Sequence, residues 1–148
     1  MEIIETAAAD IPLELLLEAD PSVHRIQTYL PLSRCFVALV DGEILGTYVV
    51  RPTEQHTFEL MNIAVRRDHR GRGIGKVMLE HMIETLRVAG AERLEVGTGT
   101  FGYQLTLYQK VGFRALSVER DHFLKHYDEP IFEFGIQHKD LLRLSLDL

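Results

Sequence analysis

The chain has 148 residues, 46% of them hydrophobic, a formal net charge of −6 and a single cysteine, Cys35. That composition supports a packed core, and the negative charge argues against general nucleic-acid binding. No apolar run approaches the roughly 18 residues of a membrane-spanning helix. One cysteine rules out an internal disulfide, and the acidic start Met1–Glu5 has no secretory-signal character, so a cytoplasmic setting is expected.

In chain order, Ile3–Thr6 reads as a short first strand. Asp10 is placed to cap a helix with Pro12 in its first turn and Leu13, Leu16 and Leu17 as an apolar stripe. Pro21 ends that helix, and Val23–Leu30 predicts a second one before Pro31. Cys35–Val40 predicts a strand in which Cys35 is a small core residue. Asp41-Gly42 is a hairpin signal, with Glu43–Val50 as the returning strand and Thr57–Val65 as the next.

A helix follows from Gly73 to about Gly90, with Ile74, Val77, Met78, Met82, Leu86 and Ala89 on one face. Leu94–Thr98 predicts a strand, Gln104–Lys110 a short helix, and Phe113–Glu119 and Ile131–Ile136 further strands. The apolar tail Leu141–Leu146 fits strand or helix, and it is the expected surface for a homodimer. The order implies a mixed α/β (α+β) layered fold in a single domain over residues 1–148.

The segment Arg70-Gly71-Arg72-Gly73-Ile74-Gly75-Lys76 lies between a strand and a helix. A glycine-rich turn at a helix start presents unpaired N–H groups and the positive end of the helix dipole to an anion. Two familiar phosphate loops fail on spacing. A G-x-G-x-x-G fingerprint from Gly71 or Gly73 would end on Lys76 or Met78, and a P-loop would need glycine at Arg70 and a hydroxyl residue at Val77. What remains is Arg-x-x-Gly-x-Gly. Between Arg66 and Lys76 five cations face one carboxylate, Asp68, a local charge of +4 suited to a polyanionic cofactor.

This pattern resembles the pyrophosphate motif of the GNAT superfamily of acetyl-coenzyme A-dependent N-acetyltransferases. A second segment, Leu107-Tyr108-Gln109-Lys110-Val111-Gly112-Phe113, resembles that family's L-Y-x-K-x-G-F element. The likeness spans Cys35 to Phe113 well and the ends weakly. It implies a mostly antiparallel sheet with helices on both faces, in which two neighbouring parallel strands, here Thr57–Val65 and Arg93–Thr98, splay in a V. It further implies that acetyl-CoA enters the V against the backbone of Ile63, Ala64 and Val65. Arg70, Gly71, Arg72, Gly73, Ile74, Gly75 and Lys76 would hold the pyrophosphate, chiefly through N–H groups, with Gly73 and Gly75 allowing close approach.

The implied reaction moves acetyl to a primary amine, on a small molecule or a protein, by direct attack through a tetrahedral intermediate. Tyr108 is the implied general acid toward the departing thiolate, and also a cofactor contact. Glu59 is the candidate base; strict alternation sets it opposite in face to Asn62 unless a bulge intervenes. Many members carry asparagine seven residues before the tyrosine, where this chain has Phe101, with Thr98 and Thr100 supplying hydroxyls nearby. His122 and His126 are four apart, but no H-E-x-x-H or cysteine cluster accompanies them, so no metal is expected. His122 and Tyr127 are placed to line the acceptor pocket, and Asp128 and Glu129 to favour a cationic acceptor. The alternative function is a non-catalytic acyl-coenzyme A sensor, which would have its acceptor cleft plugged.

Overall fold

The computed structural model describes residues 1–148. Its centre is a seven-stranded sheet built from β1 (Glu2–Thr6), β2 (Arg34–Val40), β3 (Glu43–Pro52), β4 (Thr57–Val65), β5 (Arg93–Gly99), β6 (Arg114–Glu119) and β9 (Leu141–Asp147), in the order β1-β2-β3-β4-β5-β9-β6. All neighbours are antiparallel except β4 and β5. A separate two-stranded hairpin joins β7 (Phe132–Glu133) and β8 (Ile136–Gln137).

Helices cover both faces. On one face, α1 (Leu13–Ala19) and α2 (Val23–Tyr29) bury Leu16, Ile26 and Tyr29 against Cys35, Val37 and Val49. On the other, α3 (Ile74–Val88) and α4 (Tyr103–Lys110) bury Met78, Met82, Leu86 and Tyr108 against Phe36, Tyr48, Leu60 and Ile63. A short α5 (His122–His126) follows β6.

The predicted elements stand, with local corrections. Pro12, not Asp10, is the cap residue of α1; the Asp10 carboxylate instead accepts from the Thr6 hydroxyl at 2.8 Å. Leu15 takes the buried place expected for Leu13, which is exposed. In α3, Val77 faces solvent, as does Ala89 just past its end, and Leu79 is fully buried, so the apolar stripe is rotated from the predicted one. Residues 131–136 break into the β7–β8 hairpin, because Phe134 and Gly135 both take positive φ and reverse the chain.

The apolar tail is β9. It lies inside the sheet between β5 and β6, with Leu141 and Leu144 buried and Leu142 and Leu146 packed against the core.

β4 positions the site. Its pairing with β3 shifts register between Val49 and Val50: Val49 faces Asn62 and Val50 faces Leu60, which leaves Met61 as an extra residue. Its parallel pairing with β5 runs from Thr57–Arg93 to Leu60–Val96 and stops there. Beyond Leu60 the two strands part, and Met61–Val65 have no partner on the β5 side. This is the V that the glycine loop abuts.

Candidate active site

Where β4 and β5 part, they open a cleft of about 870 Å³. Its walls come from the outer half of β4, the start of α3, the end of β5, the beginning of α4, the α1–α2 connection and the segment from α5 to β8. Of the residues expected from sequence, Glu59, Ile63, Ala64, Val65, Arg70, Gly71, Gly73, Ile74 and Gly75 all line it. Arg72, Lys76 and Tyr108 do not.

At the loop, the N–H groups from Gly71 to Lys76 make no hydrogen bond within the chain; the first helical bond of α3 is donated by Val77 to the Gly73 carbonyl. No side chain caps the helix. Six consecutive free donors at a helix start fit an anion such as a pyrophosphate. The glycines serve different ends. Gly73 needs its left-handed backbone, φ +84°, and a Cβ there would meet open space. Gly75 has ordinary helical geometry, and its missing Cβ admits the Leu107 side chain of α4, 3.3 Å from the Cβ position.

The +4 charge read along the chain is largely answered in space. Arg67 and Arg70 both pair with Glu18 of α1, at 3.2 and 3.1 Å, and Arg66 lies 3.7 Å from Glu14. Arg70 also donates its Nε–H to the Val65 carbonyl at 3.2 Å, tying the loop to the end of β4. Lys76 reaches toward Glu80 on the exposed side of α3, 3.9 Å away.

Glu59 lies where the V begins, between two guanidinium groups. Its Oε1 is 3.4 Å from Arg51 and its Oε2 3.3 Å from Arg143. The bulge at Met61 puts Asn62 on the same face as Glu59. Asn62 donates to the Leu16 carbonyl at 3.0 Å and to the Tyr29 hydroxyl at 3.1 Å.

Tyr108 is packed inward. Its ring meets Phe113 edge to face at 5.9 Å, and the α4 part of the cleft wall is formed by Tyr103, Gln104 and Leu107. Burial raises the phenol well above its usual pKa, so it stays protonated.

The other wall was only partly visible in sequence. His122 and Tyr127 line it as expected, but His122 belongs to α5 rather than to a loop, and Asp128 and Glu129 lie outside the cleft, exposed. Asp20, Arg25, Phe123 and His138 also line it and carried no motif. Phe101, at the place where many family members carry asparagine, stacks on His138 at 4.1 Å and 10°. His138 Nε2 is 2.9 Å from Glu133 Oε1, and Glu133 Oε2 accepts the Tyr103 N–H at 3.0 Å, so the carboxylate also caps α4. A Cβ on Gly99 would collide with the His138 ring. The chain distance between β5 and β8 hid this cluster from any local pattern.

The chain is similar to known proteins along nearly its whole length. Residues 31–115 match the family described as "Acetyltransferase (GNAT) domain". The uncharacterized N-acetyltransferase YvbK of Bacillus subtilis (strain 168) is 45% identical over 136 residues, covering 91% of this chain and 88% of that protein. The structure of an IAA acetyltransferase from Bacillus cereus ATCC 14579 superposes with a TM-score of 0.95 at 45% identity, over 99% of each chain. A GNAT family acetyltransferase from Elizabethkingia anophelis, solved with acetyl-CoA bound, gives 0.94 at 38% identity, over 99% of this chain and 97% of that one. By sequence and fold alike, the chain belongs to the GNAT family of acetyltransferases.

Proposed function

We propose that the protein transfers the acetyl group of acetyl-CoA to a primary amine by direct attack, through a tetrahedral intermediate. The observation that carries this reading is the meeting, in one cleft, of an unpaired β4 edge with the free N–H donors of Gly71, Gly73, Ile74 and Gly75 at the start of α3. The donors suit a pyrophosphate, and the open edge suits an extended arm that pairs with backbone. The acetyl-CoA held by the Elizabethkingia relative supports the same assignment.

The chain's own groups then have defined work. The N–H groups of Ile63 and Val65, turned to the free β4 edge while that of Ala64 faces β3, bind the arm and steady the oxyanion that develops as the amine attacks. Glu59 takes the amine proton, directly or through a water; one of its oxygens must leave its arginine to do so. Tyr108, kept protonated by burial, gives its proton to the departing thiolate. This requires its hydroxyl to reach the cleft past Leu107. The C–N bond forms first, giving the tetrahedral oxyanion; the C–S bond breaks as that intermediate collapses to the amide and the thiol, and no covalent enzyme intermediate is involved.

A sensor would have a plugged acceptor side. Here the cleft continues past the V to Arg25, His122 and Tyr127, which favours turnover. Amine-dependent release of free thiol from acetyl-CoA tests the proposal. Binding without release from a broad amine panel would favour the sensor.

A further inference from the structure

The far wall of the cleft holds a cation with which no carboxylate forms an ion pair. Among the arginines lining the cleft, Arg70 is paired with Glu18, and Arg143 with Glu59, Glu95 and Glu119. Arg25 is in no ion pair. Its guanidinium carbon sits 5.4 Å from the centroid of the Tyr127 ring, and its Nε is buried without a hydrogen-bond partner. Asp20, on the same wall, is already satisfied by other donors. Its Oδ2 accepts from the Tyr29 hydroxyl at 3.2 Å, and its Oδ1 from the Tyr127 hydroxyl at 3.0 Å and the Ser22 N–H at 3.2 Å. His122 adds no charge near pH 7, since burial, then His126 and Arg25, hold its imidazole below the usual value.

A guanidinium fixed on an aromatic face, partly desolvated and in no direct ion pair, is a ready receptor for a carboxylate. We propose that the acceptor amine carries a carboxylate that pairs with Arg25, so that the substrate is a free amino acid or a compound built like one. A lysine side chain within a protein, or a protein N-terminus, has an amide where this carboxylate would lie. Phe123, Tyr127 and Ile131 on the same wall offer the rest of the acceptor an apolar surface. The inference rests on the acetyl-transfer reading for the identity of the ligand, but the charge preference can be measured without turnover.

The experiment is calorimetry of the CoA-loaded protein with N-acetyl-L-phenylalanine, N-acetyl-L-aspartate and N-acetylglycine, each against its carboxamide. The expected result is that at least one acid binds about tenfold or more tighter than its amide, as one charge-assisted contact provides. In Arg25→Gln the two should bind alike, and Arg25→Lys should keep part of the preference because it keeps the charge without the fork. Equal affinity for acid and amide in the unaltered protein, a preference that survives in Arg25→Gln, or no binding of any pair at millimolar concentration overturns the proposal. Failure of CoA itself to bind would strike the acetyl-transfer reading instead, and the acid–amide ratio read on the protein alone would still judge Arg25.

Discussion

Glu59 and Asn62 lie on the same face of β4, although they are three residues apart in a strand. The cause is Met61, which faces no residue of β3 because Val49 pairs with Asn62 and Val50 with Leu60. The bulge sends Leu60 and Ile63 into the α3 core while turning Glu59 and Asn62 toward α1 and the cleft. It also falls at the residue where β5 departs, so the loss of pairing and the change of face coincide.

The fit of His138 against Gly99 leads to a stability prediction. Gly99→Ala puts a methyl group into the imidazole and should cost roughly 1–3 kcal/mol, as overpacking does. Removing the ring as well, in Gly99→Ala with His138→Ala, should recover part of that loss. Thermal denaturation of the four members of this cycle measures the coupling. Additive effects would mean that the ring moves freely away from the strand.

The two loop glycines should respond differently. Gly73→Ala places alanine at φ +84°, costing about 1–2 kcal/mol and re-aiming the N–H groups of the turn. Acetyl-CoA should then bind about tenfold more weakly, the worth of one or two lost hydrogen bonds. Gly75→Ala needs only a shift of Leu107 by a few tenths of an ångström, so its effect on affinity should be smaller. Titration calorimetry of both variants decides; equal losses would contradict the distinction.

Tyr108→Phe keeps the packing against Phe113 and removes only the hydroxyl. A general-acid role predicts a fall in kcat of about 100-fold, with acetyl-CoA affinity nearly unchanged. Because burial holds the phenol protonated, ionisation of Tyr108 should not limit the rate as pH rises through 9 and 10. An unchanged kcat in the variant would reduce Tyr108 to a core residue.

Acid should weaken the fold through two histidines. Burial lowers the folded-state pKa of His81, which is also 2.8 Å from the Tyr48 hydroxyl, and that of His122. The unfolded chain then binds protons more readily, so this stability is present above about pH 6.5 and is lost as pH falls through the lower folded values. Melting temperature should drop on going from pH 7 to 5, and by less in His81→Gln. An equal drop in that variant would place the effect elsewhere.

Much of the fold was legible because its signals are local. Asp41-Gly42 fixed a hairpin, and the glycines after β4 fixed the start of α3. The loop's chemistry was legible too, since free N–H groups follow from a helix start. Its electrostatics were not, because Glu14 and Glu18, which meet Arg66, Arg67 and Arg70, lie some fifty residues earlier on α1. The acceptor wall was least legible. Asp20, Arg25, Tyr127 and His138 come from four separate segments, and only the folded sheet brings them to one cleft. The tail read as ambiguous because β9 is buried in part on both faces, which gives no clean alternation.

The most direct test mixes the purified protein with acetyl-CoA and a panel of primary amines that includes free amino acids, following thiol release and the mass of the amine. The account predicts thiol release that requires both protein and amine, with one acetyl group gained on the amine nitrogen. No binding of acetyl-CoA and no release with any amine would contradict it, and would leave the Gly71–Lys76 donors as an ordinary helix start.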